Sequence, residues 1–434
     1  MTDDKITIST SPAQIACQIG LTGSKSESNR ALIIQALSNG KVEIRNLSSA
    51  DDTVILTDGL RIAGELLSEA TDRIDQERGG SQAGQNSRTI DIGPAGTAMR
   101  FLAAYCAVKG CPVIITGTER MRQRPIGLLT DALRTLGASV NYVEKEGFPP
   151  LRIGPHFRQT SDNIRIQGNI SSQYISALLL VAPSLPQGLH LTIEGELTSR
   201  PYVEMTLSLL NEAGVSYTWN ENTVVISHQH FAPSTITIEP DWSAASYWYS
   251  IAALSQTARI SLPNLKRNSL QGDSSIKRIM EGFGVKTDFT TEGALLRKEK
   301  NVRGHTPLSF DLQDCPDLAQ TLIVCCAALK REANFTGLET LKIKETDRIA
   351  ALQKELYKIG ALLKETGEVY HLDCSMVAFP QKVCFDTYED HRMAMALSPL
   401  ALKIPEVEIR DPGVVRKSYP SFWDDLKKTG FTFH

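Results

Sequence analysis

The sequence predicts an α/β protein of two domains, each built from three repeated units with buried helices. The chain has 434 residues, which is more than a single hydrophobic core usually organises. An Ala- and Leu-rich helical stretch followed by a short β-rich strand recurs six times, roughly every 70 residues. Because helix and strand alternate along the whole chain, an α/β architecture with an internal repeat is favoured.

The six helical stretches are apolar on every side, as expected for helices that are buried all round. They are predicted at 29–34, 98–103, 174–179, 245–248, 318–322 and 391–395. The strands that follow are predicted at 42–45, 112–115, 189–193, 258–262, 333–336 and 407–410. A second, amphipathic helix follows most strands, as at 125–136 and 347–359, where apolar residues recur at helical spacing.

The boundary between the first three repeated units and the last three lies near Ile238 to Asp241. The strand segments 6–8 and 15–19 precede the first unit, which begins at Gly23, and we assign them to the second half. The prediction is an inserted domain of residues 23–240 and a discontinuous domain of residues 1–22 plus 241–434. The polar stretch from Asp72 to Arg88 is predicted to be a surface loop.

Composition excludes several classes of function. The net charge is −3 and the pI about 6.3, so nothing global indicates binding to nucleic acid or to an anionic membrane. The N-terminus shows no secretory signal, and the apolar stretch 318–329 is too short to span a bilayer. No cysteine stands in a spacing suited to zinc. We expect a monomeric, cytoplasmic protein without metal or cofactor.

Several predicted buried helices begin with cations and hydroxyls. These starts are 23–30, 96–100, 171–173 and 390–392. A helix N-terminus offers unpaired N–H groups and a positive dipole end, which suit phosphate or carboxylate. A capped helix with a solvated cation would explain any one of them, but the recurrence at equivalent places in the repeat favours an anion site. The evidence for a nucleotide-binding P-loop at Gly23 to Ser26 is weak, because the spacing between its Gly and Lys residues differs from that of the motif.

The loops after the strands carry a second set of cations, at 120–125, 199–202, 344–348 and 416–419. Taken alone, 344–348 is better explained as a capping box with Thr346 at the cap. Two acids, Asp317 and Glu345, stand among the cations. A carboxylate near several cations is held ionised, so it can serve as a base.

Together these motifs resemble the signatures of the 5-enolpyruvylshikimate-3-phosphate synthase family. The matching segments are GSKSESNR at 23–30, AGTAMR at 95–100, 120–125, 171–173, KETDR at 344–348 and DHRMAM at 390–395. The resemblance covers essentially the whole chain in order. It implies two domains of three βαβαββ units each, the inside-out α/β barrel of the enolpyruvyl transferases. The chain departs from the common pattern at Pro94, Phe101 and Thr340, where the family often has Asn, Pro and Asn.

The resemblance also implies the reaction, in which the enolpyruvyl group of phosphoenolpyruvate moves to shikimate 3-phosphate on the route to chorismate. Catalytic roles would fall to Asp317, Glu345 and Lys25. Shikimate 3-phosphate, mainly on the inserted domain, would be bound by Lys25, Ser26, Arg30, Ser171, Ser172, Ser199, Asp317 and Lys344. Phosphoenolpyruvate would be bound by Lys25, Gly96, Arg124, Gln173, Arg348, Arg392 and Lys417.

Two alternatives remain at this point. The sister transferase that uses UDP-N-acetylglucosamine typically carries a Lys-Asn pair and a mobile-loop cysteine, whereas here Ser26 follows Lys25 and 120–125 contains no cysteine. A non-catalytic anion-binding protein could be built on the same repeat, but it would not need Asp317 and Glu345 beside the cations.

Overall fold

The computed structural model describes residues 4–9, 14–76, 88–299 and 308–434. The chain forms two compact units. The inserted unit is Lys25–Ile238, and the split unit combines Met1–Ser24 with Glu239–His434. The roles that the sequence assigns to the two domains stay predictions.

Thirteen α-helices lie in the described ranges. They are α1 (Lys25–Leu37), α2 (Asp51–Gln76), α3 (Gly96–Lys109), α4 (Glu119–Arg122), α5 (Gly127–Leu136), α6 (Ser172–Val181), α7 (Arg200–Glu212), α8 (Trp242–Leu254), α9 (Ile276–Ile279), α10 (Ala319–Ala328), α11 (Arg348–Tyr357), α12 (His391–Leu397) and α13 (Phe422–Lys428). Short 3₁₀ turns lie at Ala182–Ser184, Gly272–Ser275, Met280–Phe283, Pro316–Leu318, Glu339–Ile343, Ser398–Leu402 and Pro412–Lys417.

The same ranges contain 22 strands. They are β1 (Lys5–Ser9), β2 (Gln14–Gln18), β3 (Val42–Arg45), β4 (Arg88–Asp91), β5 (Val113–Thr116), β6 (Ala138–Tyr142), β7 (Leu151–Phe157), β8 (Asn163–Gln167), β9 (Leu189–Glu194), β10 (Thr218–Asn220), β11 (Thr223–Ile226), β12 (Ser234–Thr237), β13 (Thr257–Pro263), β14 (Val285–Thr290), β15 (Gly293–Lys298), β16 (Leu308–Asp311), β17 (Ala333–Thr336), β18 (Leu362–Thr366), β19 (Val369–Asp373), β20 (Lys382–Phe385), β21 (Glu406–Arg410) and β22 (Thr432–Phe433).

The inserted unit contains three sheets, with strand orders β4-β5-β7-β6, β10-β11-β9-β8 and β12-β3. In the first, β4 and β5 are parallel, and β7 pairs antiparallel with both β5 and β6. The second repeats this pattern with β8 and β9 parallel. A helix connects each parallel pair because parallel strands need a crossover. Both sheets therefore follow the order βαβαββ, while the third contributes only the parallel pair β3 and β12.

The split unit contains three sheets of the same kind, with orders β16-β17-β19-β18, β14-β15-β13-β2 and β20-β21-β1-β22. Its N-terminal strands join distant partners: β1 pairs with β21, and β2 pairs in parallel with β13. The inserted unit thus lies in the sequence between β2 and α8, within one βαβαββ repeat. These pairings join both N-terminal strand segments to strands of the second half, while the predicted domain bounds stay a prediction.

The helices of the repeat are of two kinds because they meet different neighbours. In the inserted unit α1, α3 and α6 contact one another, and in the split unit α10 contacts α8 and α12. All ten residues of α10 are buried, so no side of that helix faces solvent. By contrast, α5 buries Leu129, Leu133 and Leu136 on one face.

Helix α2 corrects one expectation. It continues to Gln76, so the surface loop predicted from Asp72 is wrong for residues 72–76. The stretch from Asp72 to Arg78 contains no Gly or Pro, so nothing local ends the helix before Gln76. The rest of that predicted loop, 77–87, lies outside the described residues. None of the described helices is long and apolar enough to cross a membrane.

Replacing Gly137 by Ala should destabilise the protein. Gly137 ends α5 with a φ of +106°, and a Cβ there would lie 2.0 Å from the carbonyl oxygen of Arg158. We expect a loss of about 1–3 kcal/mol, because both the backbone angle and the contact are unfavourable. The urea midpoint of unfolding measures it.

Gly64→Ala is the matched control, because Gly64 lies inside α2 and an added Cβ meets no described atom within 4 Å. It should be neutral or stabilise the helix by up to about 1 kcal/mol. Equal midpoints for the two variants would contradict the argument.

Candidate active site

The centre of the polar cluster in the split unit is the buried guanidinium of Arg348. This residue begins α11 and its side chain is only 2% exposed. Its Nε donates to Asp390 Oδ2 at 2.7 Å, Nη1 to Asp317 Oδ1 at 3.1 Å and Nη2 to Glu345 Oε2 at 3.0 Å. Burial opposes the charge, but Asp390, Glu345 and Asp317 outweigh burial and raise the pKa of Arg348 above its ordinary value. One cation therefore fixes three carboxylates.

Two further cations complete this cluster. Arg392 Nη2 lies 2.7 Å from Asp317 Oδ2, and Arg392 Nη1 donates to the Asp317 carbonyl oxygen at 3.2 Å. Lys417 Nζ lies 3.4 Å from Glu345 Oε1. Each of the two acids is therefore held between two cations. The structure brings together five of the predicted site residues, namely Asp317, Glu345, Arg348, Arg392 and Lys417.

Helix caps set the positions of these side chains. Asp390 caps α12, because its Oδ1 accepts from the Arg392 N–H at 2.8 Å while Oδ2 accepts from Arg348. Asp347 caps α11 by accepting from the Ala350 N–H at 3.0 Å. The capping box with Thr346 at the cap is therefore wrong. Glu345, two residues before this cap, pairs with Arg348 and Lys417.

In the inserted unit a buried cation lies against the start of α3. The helix begins at Gly96, and its N-cap residue is Ala95, whose methyl group cannot accept from the first N–H groups. A Cβ on Gly96 would lie 2.5 Å from Arg124 Nη1. Arg124 is 7% exposed, and its Nε and Nη1 have no hydrogen-bond partner among the described residues. A guanidinium with unused donors beside a helix N-terminus suits an anion.

The start of α6 adds hydroxyl and amide groups to the same unit. Ser171 caps this helix, accepting from the Gln173 N–H at 3.3 Å, and Ser172 is its first residue. Gln173 Nε2 donates to Thr97 Oγ1 at 3.2 Å, which joins the starts of α6 and α3. Ser199 precedes α7 with a φ of +56°, a conformation that costs free energy in a residue other than glycine.

Three predicted residues lie on α1. Lys25 Nζ pairs with Asp52 Oδ2 at 3.1 Å, and Ser26 is half-buried. Arg30 is buried, and it donates to Thr206 Oγ1, to the Ser26 carbonyl oxygen and to Ser176 Oγ at 2.7, 2.8 and 3.0 Å.

Burial lowers the pKa of Arg30 to about 10. The guanidinium carbon of Arg30 also lies 5.4 Å from the ring centre of Phe101, so one of the departures from the family pattern packs against a predicted site residue. Arg30 joins α1 to α6 and α7, and its predicted contact with substrate stays a prediction. Lys344, half-buried, directly precedes Glu345 and follows the 3₁₀ turn Glu339–Ile343.

Sequence reasoning missed several acids that hold the predicted cations. Asp52 pairs with Lys25, and Asp390 pairs with Arg348. The charges of Arg392 and Asp317 both act on the carboxyl group of Asp273. Asp52 follows β3 and Asp273 follows β13, so both stand in the same part of the repeat as the cationic loops. The repeat is therefore the feature of the sequence from which Asp52 and Asp273 could have been predicted.

No group of three or more His, Cys, Asp or Glu residues in the described ranges is arranged to hold a metal ion. All eight cysteines are free thiols.

Comparison with known proteins identifies the family. A model described as EPSP synthase (3-phosphoshikimate 1-carboxyvinyltransferase) matches residues 9–426. The chain belongs to the EPSP synthase family. A family member from Bacteroides fragilis (strain YCH46), named 3-phosphoshikimate 1-carboxyvinyltransferase, is 46% identical over 97% of both chains. One of the same name from Escherichia coli O1:K1 / APEC is 34% identical over 96% of this chain and 97% of its own.

Solved structures show the same fold. An EPSP synthase from Acinetobacter baumannii has a TM-score of 0.74 at 18% identity, with 99% of both chains covered. The enolpyruvyl transferase NikO from Streptomyces tendae has a TM-score of 0.71 at 15% identity, covering 100% of this chain and 99% of its own. The predicted fold class, two domains of the inside-out α/β type, is confirmed.

Removing the Asp390 carboxylate should destabilise the split unit. Asp390→Ala leaves the buried guanidinium of Arg348 without its shortest ion pair and α12 without its cap. We expect a loss of about 3 kcal/mol, read from the urea midpoint of unfolding.

Asp424→Ala is the control, because Asp424 is 74% exposed and pairs with Lys427 at 3.5 Å. An exposed pair contributes little, so the change should stay within about 0.5 kcal/mol. If both variants shift the midpoint equally, Asp390 does not have the stabilising role assigned to it.

Proposed function

We propose that this chain transfers the enolpyruvyl group of phosphoenolpyruvate to the 5-hydroxyl of shikimate 3-phosphate and releases phosphate. Family membership over residues 9–426 supports the reaction. The observation that carries it is the arrangement of Asp317 and Glu345, each held between Arg348 and a second cation. A protein that only bound anions would not need two carboxylates there. We infer further that the enzyme acts as a monomer in the cytoplasm, without metal or cofactor.

Charge explains why so many cations are needed. Both substrates are multiply charged anions, so their mutual repulsion must be offset by fixed positive groups. Planar guanidinium groups match carboxylate and phosphate with paired hydrogen bonds. For phosphoenolpyruvate we propose Lys25, Gly96 through its backbone N–H, Arg124, Gln173, Arg348, Arg392 and Lys417. The unused donors of Arg124 beside the N-terminus of α3 support this choice.

Shikimate 3-phosphate would use a different set of groups. We propose that Ser171, Ser172 and Ser199 bind its phosphate, and that Asp317 and Lys344 bind its ring hydroxyls. Lys25, Ser26 and Arg30 complete the set. The cap at α6 supports the first assignment, because a helix N-terminus with hydroxyl groups suits a phosphate.

The reaction proceeds by addition and then elimination. Asp317 accepts the proton of the 5-hydroxyl as that oxygen bonds to C2 of phosphoenolpyruvate. Glu345 takes up a proton once the bound phosphoenolpyruvate anion offsets Arg348 and Lys417, and with Lys25 it gives a proton to C3. In the second step Glu345 takes a proton back from C3, the double bond re-forms, and the bond from C2 to the phosphate oxygen breaks. The proton held by Asp317 leaves with phosphate, so both acids return to their starting states.

Phosphate release with different acceptors tests the function. With phosphoenolpyruvate present, release should require shikimate 3-phosphate and should persist in EDTA. Release that requires UDP-N-acetylglucosamine would favour the sister transferase. Binding of phosphoenolpyruvate without phosphate release in the presence of either acceptor would favour a non-catalytic anion-binding protein.

Replacing Asp317 by Asn should leave binding of shikimate 3-phosphate intact in calorimetry but slow turnover roughly a hundredfold, since the variant lacks the base. Asp424→Asn serves as the matched exposed control.

Gly96→Ala should weaken phosphoenolpyruvate selectively. The added methyl group would lie 2.5 Å from Arg124 Nη1, so the guanidinium must move from the start of α3. A displaced charged hydrogen bond corresponds to a rise in KM of roughly tenfold or more for phosphoenolpyruvate, with the KM for shikimate 3-phosphate changed by less than about twofold. Gly64→Ala again serves as the control. If Gly96→Ala raises both KM values in parallel, Arg124 does not belong to the phosphoenolpyruvate subsite.

A further inference from the structure

A buried carboxylate outside the predicted site lies close to its cations. Asp273 is 2% exposed and belongs to the 3₁₀ turn Gly272–Ser275. Its Oδ2 accepts a short hydrogen bond from Ser243 Oγ. Its Oδ1 is buried and, in the part of the chain that the structure describes, has no hydrogen-bond partner. Burying a carboxylate with half of its acceptor capacity unused is costly, so this side chain calls for an explanation other than packing.

Ser243 connects Asp273 to the site. Arg392 Nη2 donates to Ser243 Oγ at 3.3 Å, and the same nitrogen lies 2.7 Å from Asp317 Oδ2. An Nη group carries two hydrogens. One is therefore directed to Ser243 and the other to the proposed base. Because the guanidinium is planar, these two contacts fix its rotation.

The backbone around Asp273 is anchored where this contact requires it. Gln271 Oε1 accepts from the Trp242 N–H at 2.8 Å, and Gln271 Nε2 donates to the Pro240 carbonyl oxygen at 2.9 Å. Asp241 caps α8 through the Ala244 N–H. The turn that carries Asp273 is thus joined to the first turn of α8, which carries Ser243.

We propose that Asp273 is a positioning residue for the reaction: through Ser243 it orients Arg392 toward phosphoenolpyruvate and, through Arg392, holds the Asp317 carboxylate. This inference rests on the proposed function. It adds a contact, through Ser243, to the Arg392 nitrogen that also pairs with Asp317, and it makes the charge near that cation depend on one proton.

The surroundings of Asp273 explain why its charge depends on pH. Burial and the nearby Asp317 raise the pKa of Asp273 to about 7, although Arg392 and the Ser243 hydroxyl act in the lowering direction and Asp241 adds to the rise. The neighbouring thiol of Cys315 stays neutral, because burial raises the pKa of Cys315 to about 12. Near neutral pH, Asp273 therefore gains a negative charge close to Arg392, a cation that is proposed to bind an anion.

Kinetics of three variants test the positioning role. Ser243→Ala and Asp273→Ala break the contact chain, so each should raise the KM for phosphoenolpyruvate roughly tenfold, with the KM for shikimate 3-phosphate changed by less than about twofold. Asp273→Asn keeps an acceptor for Ser243 and should retain wild-type KM at about pH 6, where wild-type Asp273 is mostly protonated. Asp425→Asn removes another buried carboxylate, one that accepts from Tyr419 and Ser421, and it controls for lost stability.

The pH profile separates positioning from packing. Between about pH 6 and pH 8 the wild-type KM for phosphoenolpyruvate should rise more than that of Asp273→Asn, because only the wild type gains the charge. Comparison at the same pH with Asp425→Asn, which should behave like the wild type, cancels the titration of the substrate itself.

Stability gives a readout without substrate. A raised native pKa means that the folded state holds the Asp273 proton more tightly than the unfolded state does. The wild type should therefore lose stability relative to Asp273→Asn as the pH rises from about 4 to about 7.

The outcomes distinguish the two proposals. A wild type that releases no phosphate with shikimate 3-phosphate would overturn the proposed function and the positioning role with it. An active wild type with Ser243→Ala and Asp273→Ala kinetics equal to those of Asp425→Asn would overturn only the positioning role. A KM that rises equally with pH in the wild type and Asp273→Asn would overturn the dependence on the Asp273 proton.

Discussion

The buried charge of Arg348 is the interaction on which the polar cluster of the split unit depends. A guanidinium that is 2% exposed must be compensated, and three carboxylates from three separate segments do so. Those contacts fix Asp317 and Glu345 relative to each other, and Arg392 and Lys417 then occupy their remaining oxygens. The acids are consequently preorganised as a set, which is how an enzyme avoids reorganising charges during the reaction. Asp390 both compensates Arg348 and caps α12, so it joins stability to the geometry of the site.

The repeat explains why site residues come from so many places in the sequence. In each βαβαββ unit, two positions are available for chemistry: the start of the buried helix, and the loop after the strand that follows it. Gly96 and Ser172 occupy the first position, while Arg124, Glu345 and Asp273 occupy the second. A helix that is buried on all sides can expose little besides its ends, and the unpaired N–H groups at its N-terminus suit an anion.

The buried cations of the two units differ in their hydrogen-bond partners. In the split unit Arg348 is bonded to carboxylates at every nitrogen, so it organises acids as well as offering charge. In the inserted unit the buried Arg124 keeps Nε and Nη1 without partners among the described residues, which suits direct contact with an anion. Arg30 is intermediate, because its donors join α1 to neighbouring helices. Cations that look alike in the sequence thus perform distinct physical tasks.

The sequence by itself determined the repeat, the fold class, the family and the set of candidate residues, because apolar periodicity and short motifs are local properties. Tertiary structure alone decided which acids face which cations. Thr346 was a plausible cap by local pattern, but Asp347 fills that place and the side chain of Glu345 is directed to Arg348. Asp52 and Asp273 remained undetected because their partners, Lys25 and Ser243, are 27 and 30 residues away. Pairing over such distances depends on how the strands and helices pack, and no local pattern records it.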